Sequence, residues 1–309
     1  MAAAALLGAP VRPALALTGI FLTALAAPAS AATYYLIVSG LGGEVRYEES
    51  FAQQAHSLAQ SASRSLDGDE RVTLLSGQDA TREAVVAALE RLAATLGESD
   101  AVAVFLIGHA SFDGEQYKLN LPGPDLDGDT LGELFAALPA RQQIIVNTTS
   151  ASGAVLEAWA ADGRTLITAT KSGGERNATR FAEHWVQALS SDEADSNKNG
   201  AITVQEAFDF ASRKVNDSYE GAGLLATEHA EIAGEGALGF NIALLSERIA
   251  TTEQLRGLLE QLESLEGEIA ALRGRREGMD NDVYLDELQD LLLELALVQR
   301  EIDAARGGE

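Results

Sequence analysis

The chain is 309 residues long, carries a formal net charge of -25 and contains no cysteine. Carboxylates in such excess repel nucleic acid and anionic lipid, which leaves cationic, metallic or neutral partners. Without cysteine there is neither a disulfide framework nor a thiol nucleophile, so the fold has to rest on a packed core.

In chain order, the first feature is a leader. Arg12 precedes the apolar run A-L-A-L-T-G-I-F-L-T-A-L-A-A, and Ala29-Ser30-Ala31 follows just before Ala32, which is the pattern of a secretory signal peptide with an A-x-A cleavage site. Residues 1–31 are therefore expected to be removed. Because Arg12 is their only charge, the mature chain drops from -25 to -26. An uncleaved anchor is the alternative, but the run is short for a bilayer span, and no later stretch is long and apolar enough to cross a membrane. Arginine outnumbers lysine and alanine abounds, which points to a bacterial coding sequence and a periplasmic or secreted protein. In that setting the Asn-x-Ser/Thr triplets at Asn147, Asn177 and Asn216 are chance matches rather than glycan acceptors.

Residues 32–190 alternate strand and helix signals. Tyr34 to Ser39, Arg71 to Leu75, Ala101 to Ile107, Gln143 to Asn147 and Thr165 to Thr170 read as strands. The unbroken apolar run A-V-A-V-F-L-I at Ala101 to Ile107 fits a strand covered on both faces. Helix patterns fall at Phe51 to Leu66, Thr81 to Leu96, Leu131 to Leu138, Ala154 to Ala160 and Asn177 to Leu189. Such alternation predicts an α/β fold with a mostly parallel sheet flanked by helices.

Asp195 to Glu206 reads D-S-N-K-N-G-A-I-T-V-Q-E, with oxygen-bearing side chains at positions 1, 3, 5, 9 and 12 and glycine at position 6. That is the pattern of an EF-hand calcium loop. A hard cation takes six or seven oxygens, here expected from Asp195, Asn197, Asn199, the Ala201 carbonyl, Thr203 and bidentate Glu206, while Gly200 permits the sharp turn between them. Only Asp195 and Glu206 are anionic and no second such loop exists to pair with this one, so weak, structural Ca2+ binding of about 10⁻⁴ to 10⁻³ M is expected. The competing reading is an acidic loop in which Thr203 and Glu206 merely form a capping box. Residues 178–216 then make an EF-hand-like helix-loop-helix, with Phe181, Trp185 and Leu189 on the first helix and Val204, Phe208 and Ala211 on the second facing the core. Residues 217–245 read as an irregular connector.

Residues 246–309 carry two heptad seams. One runs through Leu255, Leu258, Leu262, Leu265, Ile269 and Leu272, the other through Leu285, Leu288, Leu292, Leu295, Gln299 and Ile302. The turn-forming stretch Gly278 to Asp282 between them predicts an antiparallel helical hairpin. It either closes on itself and the α/β body or recruits another chain.

Two motifs fall at carboxyl ends of predicted parallel strands, where open α/β sheets place their sites. They are L-I-G-H-A-S at Leu106 to Ser111 and N-T-T-S-A-S-G at Asn147 to Gly153. His109 and Ser150 are thereby candidates for base and nucleophile. The other histidines, His56, His184 and His229, show no zinc spacing. Over Tyr34 to Leu189 the chain resembles the caspase, legumain and gingipain group of cysteine peptidases: Gly108-His109 matches the histidine motif, and Ser150-Ala151-Ser152-Gly153 matches C-x-S-G with serine in the cysteine's place. Thr168 to Asn177 also looks like the segment after the next strand in bacterial relatives. The resemblance implies a caspase-type fold, and Glu175 and Arg176 would then border a substrate pocket or form a surface turn.

A serine hydroxyl needs a strong base held by a third group, where a thiol ionises readily beside histidine, and no motif supplies the orienting carboxylate; Asp113 and Asp125 are candidates without one. The leading expectation is an exported, calcium-binding peptidase homologue without catalysis that binds protein or peptide. The alternatives are a hydrolase using a Ser150-His109 dyad, with backbone amides near Gly108 as oxyanion donors, and a scaffold that oligomerises through its C-terminal helices.

Overall fold

A computed structural model describes residues 31–309 except 67, 235, 237, 246–252, 277, 278 and 307–309. The expected leader lies outside the described residues apart from Ala31, as does Gly278 of the expected hairpin turn.

A six-stranded sheet forms the centre. Its strands are β1 (Thr33–Ser39), β2 (Val72–Ser76), β3 (Ala101–Ile107), β7 (Gln142–Asn147), β8 (Arg164–Thr168) and β10 (Glu231–Ala233), in the order β10-β8-β7-β3-β1-β2. Every neighbour pair is parallel except β10 with β8. The fold class is thus the α/β arrangement expected from the alternating signals.

Both faces of this sheet are covered, and alternate residues of one strand serve opposite faces. Tyr35 and Ile37 of β1 join Ala103 and Phe105 of β3 in a core completed by α1 (Val45–Leu66), α4 (Phe181–Ala188) and α5 (Val204–Gly221). Leu36 and Val38, with Val102 and Val104, meet α2 (Arg82–Thr95), α3 (Gly128–Ala136) and Trp159 on the other side. Every residue of β3 is buried, as its unbroken apolar run requires.

Three differences from the sequence reading matter for the site. Ala154 to Ala160 is not an α-helix; a short 3-10 turn at Ser152–Val155 leads into further turns. Between β3 and α3 the chain adds a three-stranded antiparallel sheet of β4 (Ala110–Phe112), β5 (Tyr117–Leu119) and β6 (Leu126–Asp127). The connector is not irregular throughout: it supplies the sheet-edge strand β10 and also β11 (Asn241–Leu244), which pairs antiparallel with β9 (Ala201–Thr203). Strands of two to four residues are too short to display a period, so nothing in the residue pattern announces them.

The tail is a hairpin of α6 (Glu253–Gly274) and α7 (Asn281–Arg306), packed through Leu258, Leu262, Leu265, Val298 and Ile302. The α7 seam runs through Leu291, Leu295 and Val298, so Leu285 and Leu292, expected inside it, are exposed. Leucines at 291, 292 and 293 offer the helix several phases, and packing against α6 selects one.

Among the described residues no helix is long and apolar enough to cross a membrane.

Candidate functional site

The parallel register of β3 and β7 sets Leu106 opposite Asn147, so the segments bearing His109 and Ser150 leave the same sheet edge side by side. Their side chains then part. The His109 ring packs edge-on against Tyr47 and Phe51 of α1, at centroid distances of 4.9 and 5.1 Å, and hydrogen-bonds the Gly42 backbone. Burial pulls its pKa below the ordinary imidazole value, against weaker upward pulls from Glu44, the Gly42 backbone and Glu48.

Ser150 faces inward and is only 2% exposed. Its hydroxyl donates to the Ala110 carbonyl at 2.9 Å and accepts from the Ala110 N–H at 3.1 Å. Ala110 opens β4, a strand of the small antiparallel sheet, and its backbone groups occupy the hydroxyl a base would have to deprotonate. No hydrogen bond joins His109 to Ser150 among the described residues.

The amides beside Ser150 are also engaged. Ala151, at a left-handed φ of 56°, donates its N–H to the Glu175 carbonyl at 2.7 Å, and Gly153 donates to Thr170 Oγ1 at 2.9 Å. Beneath them, Tyr117, Asn147 and Thr149 bond one another, with Tyr117 Oη 2.7 Å from Thr149 Oγ1, and burial pushes the Tyr117 phenol up to about 12. This polar floor holds no base.

A loop of the chain itself closes the region. A Cβ at Gly153 would strike the backbone of Thr170, Lys171 and Ser172, so this turn and the following loop touch as closely as glycine permits. Thr179 Oγ1 bonds the Thr148 carbonyl at 2.5 Å. Glu175 accepts from the Lys171 N–H at 3.0 Å and the His229 N–H at 3.1 Å, and its other oxygen meets His229 Nδ1 at 2.5 Å. Glu175 therefore ties the loop to the connector, a link invisible to sequence because 54 residues separate the partners. Arg176 turns back to the Gly173 carbonyl. One surface hollow, of about 490 Å³, lies between α1 and β2 beside His56, Val72 and Leu74, away from Ser150.

The second candidate is the loop Asp195 to Glu206. Lys198 and Gly200 take left-handed φ values of 60° and 81°, which fold the chain back on itself twice in three residues. Asp195 accepts from the Asn199 and Gly200 N–H groups at 3.0 and 2.8 Å, Asn197 Oδ1 from Asn199 at 3.0 Å, and Asn199 Oδ1 from Ala201 at 2.8 Å. Glu206 reaches back over the loop, accepting from Ser196 N–H at 2.9 Å and from Thr203 N–H at 3.0 Å. Thr203 and Glu206 do form a capping box for α5, so the capping role exists alongside whatever else this carboxylate does.

Asp195 is buried, and its pKa is raised, chiefly by burial and also by Glu206, against downward pulls from the Gly200 and Asn199 N–H groups and Lys198. Two interacting carboxylates with amide and hydroxyl oxygens between them in sequence make a donor set that suits a hard divalent cation. Ile202, at position 8, is fully buried and carries β9 onto β11. The expected helix Asn177 to Leu189 is α4, which starts later, at Phe181, and ends at Ala188; turns bonded from Ser191 to Ala188 and from Ala194 to Ser191 then lead into Asp195. Ser190 and Ser191 weaken helix propensity there. Among the described residues no group of three or more His, Asp or Glu side chains gathers as a metal cluster; this loop brings two carboxylates.

Solved structures give a comparison. The chain is similar to protein GSU0716 from Geobacter sulfurreducens, at 14% identity and a TM-score of 0.44 over 70% of this chain and 99% of that one. It is also similar to caspase-1 from Spodoptera frugiperda, at 10% identity and a TM-score of 0.38 over 66% of this chain and 85% of that one. The Drosophila initiator caspase Dronc matches at 10% identity and a TM-score of 0.38, over 66% of this chain and 80% of its own. Caspases stand among its structural neighbours. No protein-family model and no curated protein matches the sequence.

Proposed function

We propose that the chain is an exported, calcium-binding domain of caspase type that lacks peptidase chemistry and binds protein or peptide. The observation that carries this reading is the engagement of the Ser150 hydroxyl by both backbone groups of Ala110. Nucleophilic attack would require breaking those bonds, bringing in a base that lies elsewhere and freeing an oxyanion donor from Glu175. Loss of the thiol and occupation of the serine point the same way.

Calcium has a structural part in this proposal. Asp195, Asn197, Asn199, the Ala201 carbonyl, Thr203 and Glu206 would hold it, joining α5 and β9 to the turn that follows α4. Bound calcium would supply the positive charge that the paired carboxylates otherwise lack.

Two measurements test the proposal. Labelling with a fluorophosphonate in the presence of calcium should leave Ser150 unmodified; labelling that His109→Ala abolishes would establish the hydrolase alternative instead. A thermal melt with calcium, magnesium or chelator should show calcium-dependent stabilisation, about 2.7 kcal/mol at 100 times the dissociation constant. Glu206→Gln, which keeps a side chain able to complete the capping box, should remove most of that gain. A wild-type melt indifferent to calcium would remove the ion from the proposal.

A further inference from the structure

Both helices of the C-terminal hairpin touch the third residue of the loop. Asn197 Nδ2 donates to Glu266 Oε1 of α6 at 2.7 Å, and Gln299 Nε2 of α7 donates to the Asn197 carbonyl at 3.4 Å. These contacts span 69 and 102 residues of sequence, so they exist only when the hairpin is docked on the α/β body.

We infer that Glu266 and Gln299 form an outer frame for the cation loop, so that divalent-cation binding and docking of the hairpin strengthen each other. This rests on the calcium reading of Asp195 to Glu206.

The argument begins with the Asn197 amide. Its oxygen accepts from the Asn199 N–H inside the loop at 3.0 Å, while its nitrogen faces the Glu266 carboxylate. A flipped amide would set N–H against N–H on the loop side and oxygen against carboxylate on the hairpin side. Glu266 therefore fixes Asn197 with its oxygen toward the loop, the orientation a cation ligand needs. The bond is charge-assisted, hence stronger than one between neutral groups. Glu266 also places a negative charge one residue beyond the ligand, favouring a cation without occupying a coordination position. Gln299 holds the same residue's backbone from the other helix. This is how outer-shell partners orient ligands in metal sites generally, and their removal typically costs about 10- to 100-fold in affinity.

Coupling is reciprocal. If the docked hairpin raises calcium affinity by a given factor, calcium must favour docking by the same factor.

The experiment uses the full-length mature chain and calcium chloride alone. Calorimetric titration compares wild type with Glu266→Ala, Gln299→Ala and, as a control for lost charge on the same helix, Glu268→Ala. Alanine suits a helix, so none of these changes penalises α6 or α7 intrinsically. Glu266→Ala should weaken calcium binding about 10-fold or more, equivalent to about 1.4 kcal/mol. Gln299→Ala should weaken it less, and Glu268→Ala by under twofold. Amide hydrogen exchange provides the reciprocal measurement: calcium should slow exchange across α6 and α7 in wild type but not in Glu266→Ala. A Glu266→Ala affinity within twofold of wild type, an equal loss in Glu268→Ala, or hairpin exchange indifferent to calcium overturns the inference while leaving the calcium reading intact. A wild-type chain that takes up no calcium overturns both.

Discussion

Replacing Ser150 with alanine separates a structural hydroxyl from a catalytic one. In the fold this hydroxyl serves both the N–H and the C=O of Ala110, a residue itself 9% exposed, and Ser150 is buried beside it. Alanine fits the space but leaves a buried backbone donor without a partner, at about 1–3 kcal/mol. The carbonyl loses less because it has a second lone pair. For a chain of this size each kcal/mol shifts the melting temperature by roughly 2–4 °C, so Ser150→Ala should melt about 2–12 °C lower. Differential scanning calorimetry, with a urea titration to confirm an unchanged slope, reads this directly. Ser150→Cys should also destabilise, because sulfur is larger and bonds the Ala110 groups more weakly, and it should not create a peptidase while Ala151 still donates to Glu175. An alanine variant that melts with wild type, or a cysteine variant that cleaves peptides, would refute the reasoning.

Other expectations concern groups whose surroundings are equally specific. His109 should titrate below 6.5 by NMR, since burial against Tyr47 and Phe51 disfavours its charged form. Its depressed value supplies stability above the unfolded pKa of 6.5 that is lost as pH falls through the folded value, and a midpoint at or above 6.5 would contradict this packing. Glu228 is buried, caps α4 through the Arg180 and Phe181 N–H groups, and has its pKa raised, burial being the largest cause. A raised acid contributes stability below its unfolded value of 4.5 that is lost as pH rises through the folded one, so wild type should lose ground to Glu228→Gln as pH rises above 4.5. Denaturant titrations of the pair showing a constant difference would exclude that. Gly153→Ala should cost at least about 1–3 kcal/mol through overpacking against Thr170 to Ser172, with raised hydrogen exchange in that loop; a neutral substitution would mean the loop rests elsewhere.

What was legible in the sequence follows from range. Ala101 to Ile107 is apolar at every position and becomes a strand with every residue buried, because covering both faces leaves no place for a polar side chain. The sharp turn at Gly200 and the Thr203–Glu206 capping box are legible because their signals are local, residue types at fixed short offsets. That the segments bearing His109 and Ser150 leave one sheet edge is legible too, since parallel strands deliver their successors there. Their separation was not readable: it depends on Ala110 turning into β4 and on α1 presenting Tyr47 and Phe51 to the imidazole. The same limit hid the Glu175–His229 and Asn197–Glu266 contacts, which link residues 54 and 69 apart and carry no periodic signal. On α7 the leucine content, rather than distance, was the obstacle, because several helical faces were apolar enough to serve as the seam.

The short ribbon of β9 and β11 bears on stoichiometry. On one side β9 is bonded to β11, which Tyr35 and Ser65 anchor through the Ile242 carbonyl and the Leu244 N–H. On the other, the Ala201 and Thr203 amides are taken by Asn199 and Glu206. The Ala201 and Thr203 amides are therefore already spent within the chain and cannot pair the loops of two molecules. The proposed calcium uptake should then follow a single-site isotherm with a Hill slope of one, and a slope that changes when the protein is diluted would show that loops of two molecules meet by another route.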